Sequence, residues 1–435
     1  VALSAISRSI FPTLETIVGS AGCSSLARYA PAAALLLKQT GVNPETPVAL
    51  PDSPALLAEV MRCAHQNRWR VLPAGCGSKL GWGSLPSDAD LLVSTARLDR
   101  LIEHAAGDLT VTAEAGIRFV TLQAQLAKAN QFLALDPAYP EQASLGGILS
   151  TADSGPLRHR YGGVRDMCLG IGVVRADGKP VKAGGRVVKN VAGYDLMKLF
   201  TGAYGTLGIV SQLTFRLHPL PEAWRTVVLS PQLPQALSRA AAALRASALT
   251  PLAVEVADES TFVGLGLHNQ PGLLVRFGGS EASVREQSAQ LLALAPGLGT
   301  HILEGEADKK LWEQLRTQFW QSASPEAVIC KLGVPPARVV AALGCARERG
   351  ARLCLRSGSG VGLVRWERVD TATVEALRHF CRAEGGYLTV LEAPSALKVA
   401  IDVWDIAPGA AALMARIRRR FDPEQIFACR PFGPG

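Results

Sequence analysis

Residues 73–83 read PAGCGSKLGWG and place glycines at 75, 77, 81 and 83 directly behind the strand-like run RWRVL. Glycine leaves the main chain uncovered, so such a turn lets successive N–H groups reach a negatively charged group. Two common phosphate loops are excluded. Lys79 precedes Gly81 with no Gly-Lys-Ser/Thr after four spacers, and Gly75, Gly77 and Gly81 miss the G-x-G-x-x-G spacing. Taken alone, the loop fits either an anion nest or a plain surface turn. A second stretch, ALDPAYPEQASLGGILSTADSG, sets Ser144 ahead of a short helix beginning LGGILST. Gly146 and Gly147 in a first turn are poor for helix propensity. They make sense where something approaches the backbone at the helix end that carries partial positive charge.

Other chemistry-bearing residues are sparser. His159 sits between Arg158 and Arg160 in LRHRYG, and Arg356 and Arg365 bracket the turn RSGSGVGLVRWE. An arginine can grip a carboxylate with two parallel hydrogen bonds. Solvated or interface arginines on a hairpin, and a surface basic cluster around His159, are the competing readings. The nine cysteines, at 23, 63, 76, 168, 330, 345, 354, 381 and 429, contain no C-x-x-C and no zinc or iron–sulfur spacing. They fit reduced thiols in a cytoplasmic compartment.

The elements that must position these residues follow from pattern. Ser53 caps a helix opened by Pro54, whose apolar face is Leu56, Leu57, Val60, Met61 and Ala64, with Asn67 closing it. RWRVLP, LLVST and LTVTAEAG are strands, and residues 120–131 are helical. LGIGVVRA and PVKAG form a hairpin through Asp177–Gly178. A helix is expected over 194–200, then a compact loop with glycines at 202, 205 and 208, then a strand alternating Leu213, Phe215 and Leu217. Tyr194 and Asp195 fit a helix start with a capping carboxylate as well as a ligand contact, and Lys189 is a further candidate. Residues 1–44 form a helical lead-in, and Pro219–Pro221 marks a boundary. Beyond it, seven strands alternate with helices at 234–246, 281–294, 335–348 and 371–384, an α+β pattern with antiparallel sheet and helices on one face.

At 435 residues, 48% hydrophobic and 19% charged, the chain is long enough for two or three domains. An aromatic content of 6% and a net charge of +8 do not suggest nucleic acid. The basic run RIRRR, 416–420, lies in a helical segment and fits a solvated face or a docking surface for an acidic partner. The N-terminus lacks a signal-peptide core, and AAALLL is too short to span a bilayer, so membrane association is expected to be peripheral.

Together, VLPAGCGSKLGWG, ASLGGILSTADSGPLRHRYGGVRDMCLGIGVV, GGRVVKNVAGYDLMKLFTGAYGTLGIV and RRRFDPEQIF resemble the vanillyl-alcohol-oxidase type of FAD-binding domain, also named after p-cresol methylhydroxylase (PCMH). Within that family the likeness is greatest to glycolate oxidase FAD-binding subunits of the E type. The resemblance implies an α+β chain. A PCMH-type FAD-binding domain at 45–221, with two subdomains, is followed at 222–435 by a substrate or cap domain of FAD-linked oxidase C-terminal type with antiparallel sheet and a helical return.

The resemblance also implies non-covalent FAD, because no histidine stands near the glycine loop. Ala74, Gly75, Cys76, Gly77 and Ser78 would supply N–H groups to the pyrophosphate, with the Ser78 hydroxyl added and Pro73 also in the cofactor site. Ser144, Leu145, Gly146 and Gly147 would form a second wall, Ser154 and Gly155 would pass the flavin, and Gly205, Gly208 and Ile209 would close the channel. His159, Arg356 and Arg365 are the substrate candidates, and no general base is named.

Where relatives carry an H-x-G-D-G-N-x-H-like metal site, this chain has RSGSGVGL, with Arg356 and Leu363 outermost, so no metal is expected. The terminus keeps Phe421, Asp422, Pro423 and Phe427 but not the family's later Asn. The implied activity is hydride transfer from a small 2-hydroxy acid to flavin. A paralogous flavoprotein subunit and an iron–sulfur subunit are the implied partners. The alternative is a non-catalytic FAD-binding scaffold in the same complex.

Overall fold

The computed structural model describes residues 5–86, 88–185, 194–231, 234–321 and 324–429. Lys189 lies outside them. The chain divides into two compact units, one of residues 1–154, 163–219 and 406–435, the other of 155–162 and 220–405. The division differs from the expected segments. The lead-in and the C-terminal return group with the first unit, and eight residues around His159 group with the second.

In the first unit a four-stranded sheet runs in the order Cys23–Ser25, Pro47–Ala49, Leu91–Ser94, Val71–Ala74. Its last three strands are parallel, and the lead-in strand Cys23–Ser25 joins antiparallel. The lead-in is therefore not wholly helical. Helix Pro54–Gln66 forms the crossover; the Ser53 hydroxyl accepts from the Leu56 N–H, and Leu57, Val60, Met61 and Ala64 are buried. Their apolar face joins a core with Val71, Val93, Ile426 and Phe427.

The C-terminal return is knitted to this sheet. Val71 N donates to Ile426 O at 2.7 Å, and Ala428 N to Val71 O at 2.8 Å. Fully buried Asp422 accepts from the Ile426 and Phe427 N–H groups, both at 2.9 Å, so Asp422 and Phe427 of the terminal motif act in this turn. A second, five-stranded antiparallel sheet runs Leu101–Ala105, Thr110–Glu114, Ile209–Arg216, Cys168–Val174, Pro180–Gly184. The alternating Leu213, Phe215 and Leu217 are buried, and the helix expected at 194 begins at Leu196 behind the Asp195 cap.

The second unit is built on an eight-stranded antiparallel sheet. Its order is Gly299–Glu304, Ala223–Ser230, Gly272–Gly279, Ala253–Ala257, Arg352–Arg356, Val361–Trp366, Val328–Gly333, Tyr387–Glu392. Strand Gly299–Glu304 and helix Gly305–Trp320 were not anticipated. Leu311, Leu315 and Phe319, one helical turn apart, pack on Val228 and Leu274. Val227 and Leu229, which alternate to the other side, are equally buried, so the sheet is covered on both faces rather than one.

Candidate functional site

The glycine loop leaves strand Val71–Ala74 with its carbonyls tied back. Gly75 O accepts from the Ser94 hydroxyl at 2.9 Å and from Tyr29 of the lead-in, whose hydroxyl also lies 2.8 Å from Ser94 Oγ. Burial raises the Tyr29 phenol, which stays a protonated donor. Ala74 O accepts from Thr95 N at 3.0 Å. By contrast, the main-chain N–H groups of Gly75, Cys76, Gly77 and Ser78 have no acceptor among the described residues. Four successive half-buried residues thus present main-chain donors that the described residues leave without an acceptor, which is what an anion site requires. Gly77, at φ +84°, turns the chain where a side chain would be strained.

The second wall lies against this loop. Ser144 Oγ caps helix Leu145–Thr151 by accepting from Gly147 N at 3.3 Å. A Cβ on Gly75 would fall 2.0 Å from that same oxygen and 3.7 Å from Gly147 N. The wall contributes shape rather than donors. Leu145 N is bound to Ile117 O and Gly146 N to Ala115 O, and a Cβ on Gly146 would meet Ala115 at 3.0 Å. Gly146 therefore allows close packing of the helix on the sheet.

A second tie was missed from sequence. The Lys79 ammonium lies 3.1 Å from Asp153 Oδ2, with side chains only 5% and 6% exposed, and 5.5 Å over the Trp82 ring. Asp153 also accepts from Ala138 N at 2.9 Å. Burial and the Asp153 charge raise the Tyr204 phenol, which therefore stays neutral. Tyr204 holds φ +51°, uncommon for a bulky residue and worth noting beside a candidate site. The signal for Lys79 and Asp153 stood inside the two motifs, but glycine spacing says nothing about which charges pair.

The remaining expected residues divide. Pro73 lies beneath Gly205, where a Cβ would stand 3.2 Å from the proline ring; Gly205 itself has φ +74°. A Cβ on Gly208 would strike Val173 at 2.6 Å, and Ile209 is buried in the core with Val174, so packing explains both. Ser154 ends one segment of the first unit and Gly155 opens a segment of the second. Tyr194 is 93% exposed and Asp195 caps its helix, accepting from Lys198 N. Cys76 Sγ donates to Gly116 O at 3.7 Å, and burial raises its thiol, away from the reactive thiolate.

In the second unit, helix Arg158–Tyr161 lies against strand Ala253–Ala257. The His159 ring abuts the turn after Arg356: a Cβ on Gly358 would lie 2.9 Å from its Nδ1. Burial, then the Arg160 charge, lower the His159 pKa, favouring the neutral imidazole. Arg356 is buried, with Nε 3.7 Å from Glu255 Oε1 on the neighbouring strand, and Glu255 Oε2 accepts from Cys354 Sγ at 3.3 Å. Arg365 stands elsewhere. Its Nη1 donates to the Gln318 and Gln321 carbonyls at 2.6 and 2.8 Å, capping helix Gly305–Trp320. The structure gives Arg365 a structural task, and turns Arg356 toward Glu255. Among the described residues, no group of three His, Cys, Asp or Glu is placed to hold a metal.

Residues 46–184 match the family model for an FAD binding domain, and residues 220–362 that for FAD linked oxidases, C-terminal domain. The chain belongs to this family of FAD-linked oxidoreductases, with the PCMH-type fold, and its cofactor is FAD. Among its relatives, glycolate oxidase subunit GlcE of Escherichia coli is 28% identical over 88% of this chain and 96% of that one. Glycolate oxidase subunit GlcD of Bacillus subtilis is 27% identical over 52% of this chain and 48% of that one, so the chain spans about half of it. p-Cresol methylhydroxylase with substrate bound superposes with a TM-score of 0.75 at 13% identity, covering 98% of this chain and 96% of that one.

Proposed function

We propose that this chain is the FAD-binding subunit of an oxidoreductase complex acting on glycolate or a similar small 2-hydroxy acid, on the cytoplasmic side. A paralogous flavoprotein subunit and an iron–sulfur subunit complete the complex. The observation that carries the reading is the run of four main-chain N–H groups without acceptors, Gly75 to Ser78, beside the Ser144 wall. Those N–H groups hold the pyrophosphate, with the Ser78 hydroxyl beside them, and the Tyr29 and Ser94 hydroxyls keep the Gly75 carbonyl turned away from it. Bound FAD supplies a two-electron acceptor for oxidation of a C–OH group. The subunit names of the two glycolate oxidase relatives support assembly with partners.

One observation favours a scaffold role instead. Arg356 faces Glu255 and Arg365 caps a helix, so two of three expected substrate contacts are engaged by the protein itself. Anaerobic titration of the purified yellow chain with glycolate and with D-lactate separates the readings. Bleaching of the flavin by either acid supports catalysis by this chain. A flavin that neither acid reduces assigns the scaffold role, and a colourless chain that FAD cannot reconstitute overturns both.

A further inference from the structure

We propose that the exposed side of helix Pro408–Phe421 is a docking surface for an anionic lipid bilayer. The helix is 14 residues long and has no fully buried residue. It is held to the first unit by its C-terminal end: Arg418 Nη2 donates to Phe427 O at 2.8 Å, and Phe421 meets Phe200 edge to face at 5.7 Å. Small or half-buried residues, Ala411, Ala415 and Arg418, mark the inner side. Arg416, Arg419 and Arg420, at i, i+3 and i+4, form one exposed stripe. None of the three has an ion-pair partner among the described residues, and residues 408–421 contain no acid. Leu413 is 54% and Met414 38% exposed, and Leu413 falls one turn before Arg416 and two before Arg420.

Arginines beside exposed apolar side chains are the pattern of a helix lying in a membrane interface. There the apolar groups enter the acyl boundary while guanidinium groups remain among lipid phosphates. No helix among the described residues is long and apolar enough to cross a membrane, so this surface supplies reversible attachment. Attraction to anionic lipid falls with salt, because the arginines act by charge over a Debye length.

The test is co-sedimentation of the full chain with phosphatidylglycerol/phosphatidylcholine vesicles and with pure phosphatidylcholine vesicles, at low and high salt. Binding to the anionic vesicles alone, reversed by salt, is expected. R416Q/R419Q/R420Q should lower the partition roughly tenfold or more, and L413S/M414S should lower it as well. All five positions are exposed, and unchanged circular dichroism confirms that the variants fold. K310Q/R347Q/R368Q, three exposed charges of the second unit, removes the same net charge and should keep vesicle binding. Absence of binding to anionic vesicles overturns the proposal and leaves an acidic protein as the fitting partner. Equal losses in the two triple variants overturn it too, by showing an effect of net charge alone.

Discussion

Gly75 and Ser144 occupy the same space: a Cβ on Gly75 would stand 2.0 Å from the Ser144 hydroxyl oxygen. That hydroxyl is already engaged as the cap of Gly147 N. G75A must therefore displace Ser144 Oγ, and losing such a cap costs about 1 kcal/mol. Weaker FAD retention and a lower melting temperature are expected in G75A, with part of both restored in G75A/S144A, where the obstructing oxygen is gone. Additive losses in a double-mutant cycle would show that the two residues do not share this space.

Tyr29 acts on the same loop from the lead-in. Y29F removes a donor to Gly75 O while Ser94 remains, so about 1 kcal/mol is expected to be lost. The loss should be larger in FAD affinity than in stability of the apo chain, because the freed carbonyl can rotate toward the bound pyrophosphate. Flavin release during dialysis, followed by visible absorbance, checks it. Equal FAD affinity of Y29F and the native chain would remove Tyr29 from the site.

Local structure was legible wherever a residue acts on its near neighbours. Ser53 and Ser144 are caps where the sequence places them, and Leu213, Phe215 and Leu217 alternate into the core. The loop 73–78 and the wall 144–147 were expected to form one site, and the structure brings them together. Contacts between distant side chains were not legible. Tyr29 reaches a carbonyl 46 positions away, and Glu255 meets Arg356 only because the sheet order sets their strands side by side. The packing partners of Gly146, Gly208 and Arg365 were not legible for the same reason: they are Ala115, Val173 and a helix end, none of which spacing reveals. Helix Gly305–Trp320 was missed although Leu311, Leu315 and Phe319 carry a helical period, because charged and polar residues together outnumber its apolar ones.

The Lys79–Asp153 pair joins the end of the glycine loop to the residue that follows the capped helix by two. With both side chains almost fully buried, breaking the pair leaves one charge uncompensated, a cost of about 3–5 kcal/mol. K79M and D153N are each expected to lower the melting temperature sharply and to release FAD. K79M/D153L, which removes both charges, should recover stability but not the order of the loop, so FAD retention should stay low. Full recovery of flavin in the double variant would reduce the pair to a packing role.

Lys398 gives the second unit a pH dependence whose sign follows from burial. Its ammonium donates to Leu391 O at 2.7 Å, and burial pulls its pKa down to about 7, with Glu392 and Cys330 acting in the opposite direction. In the unfolded chain a lysine titrates near about 10.4. Between these values the unfolded state binds the extra proton, so this group's contribution makes folding more favourable as pH rises from about 7 toward 10. Below about 7 both states are protonated and the full penalty of burying the charge is present. K398M carries no such penalty. Its melting temperature should exceed that of the native chain by most at pH 6, and the gap should close steadily as pH rises. A gap independent of pH would mean that Lys398 stays charged in the folded protein, with the Leu391 carbonyl and Glu392 compensating for its burial.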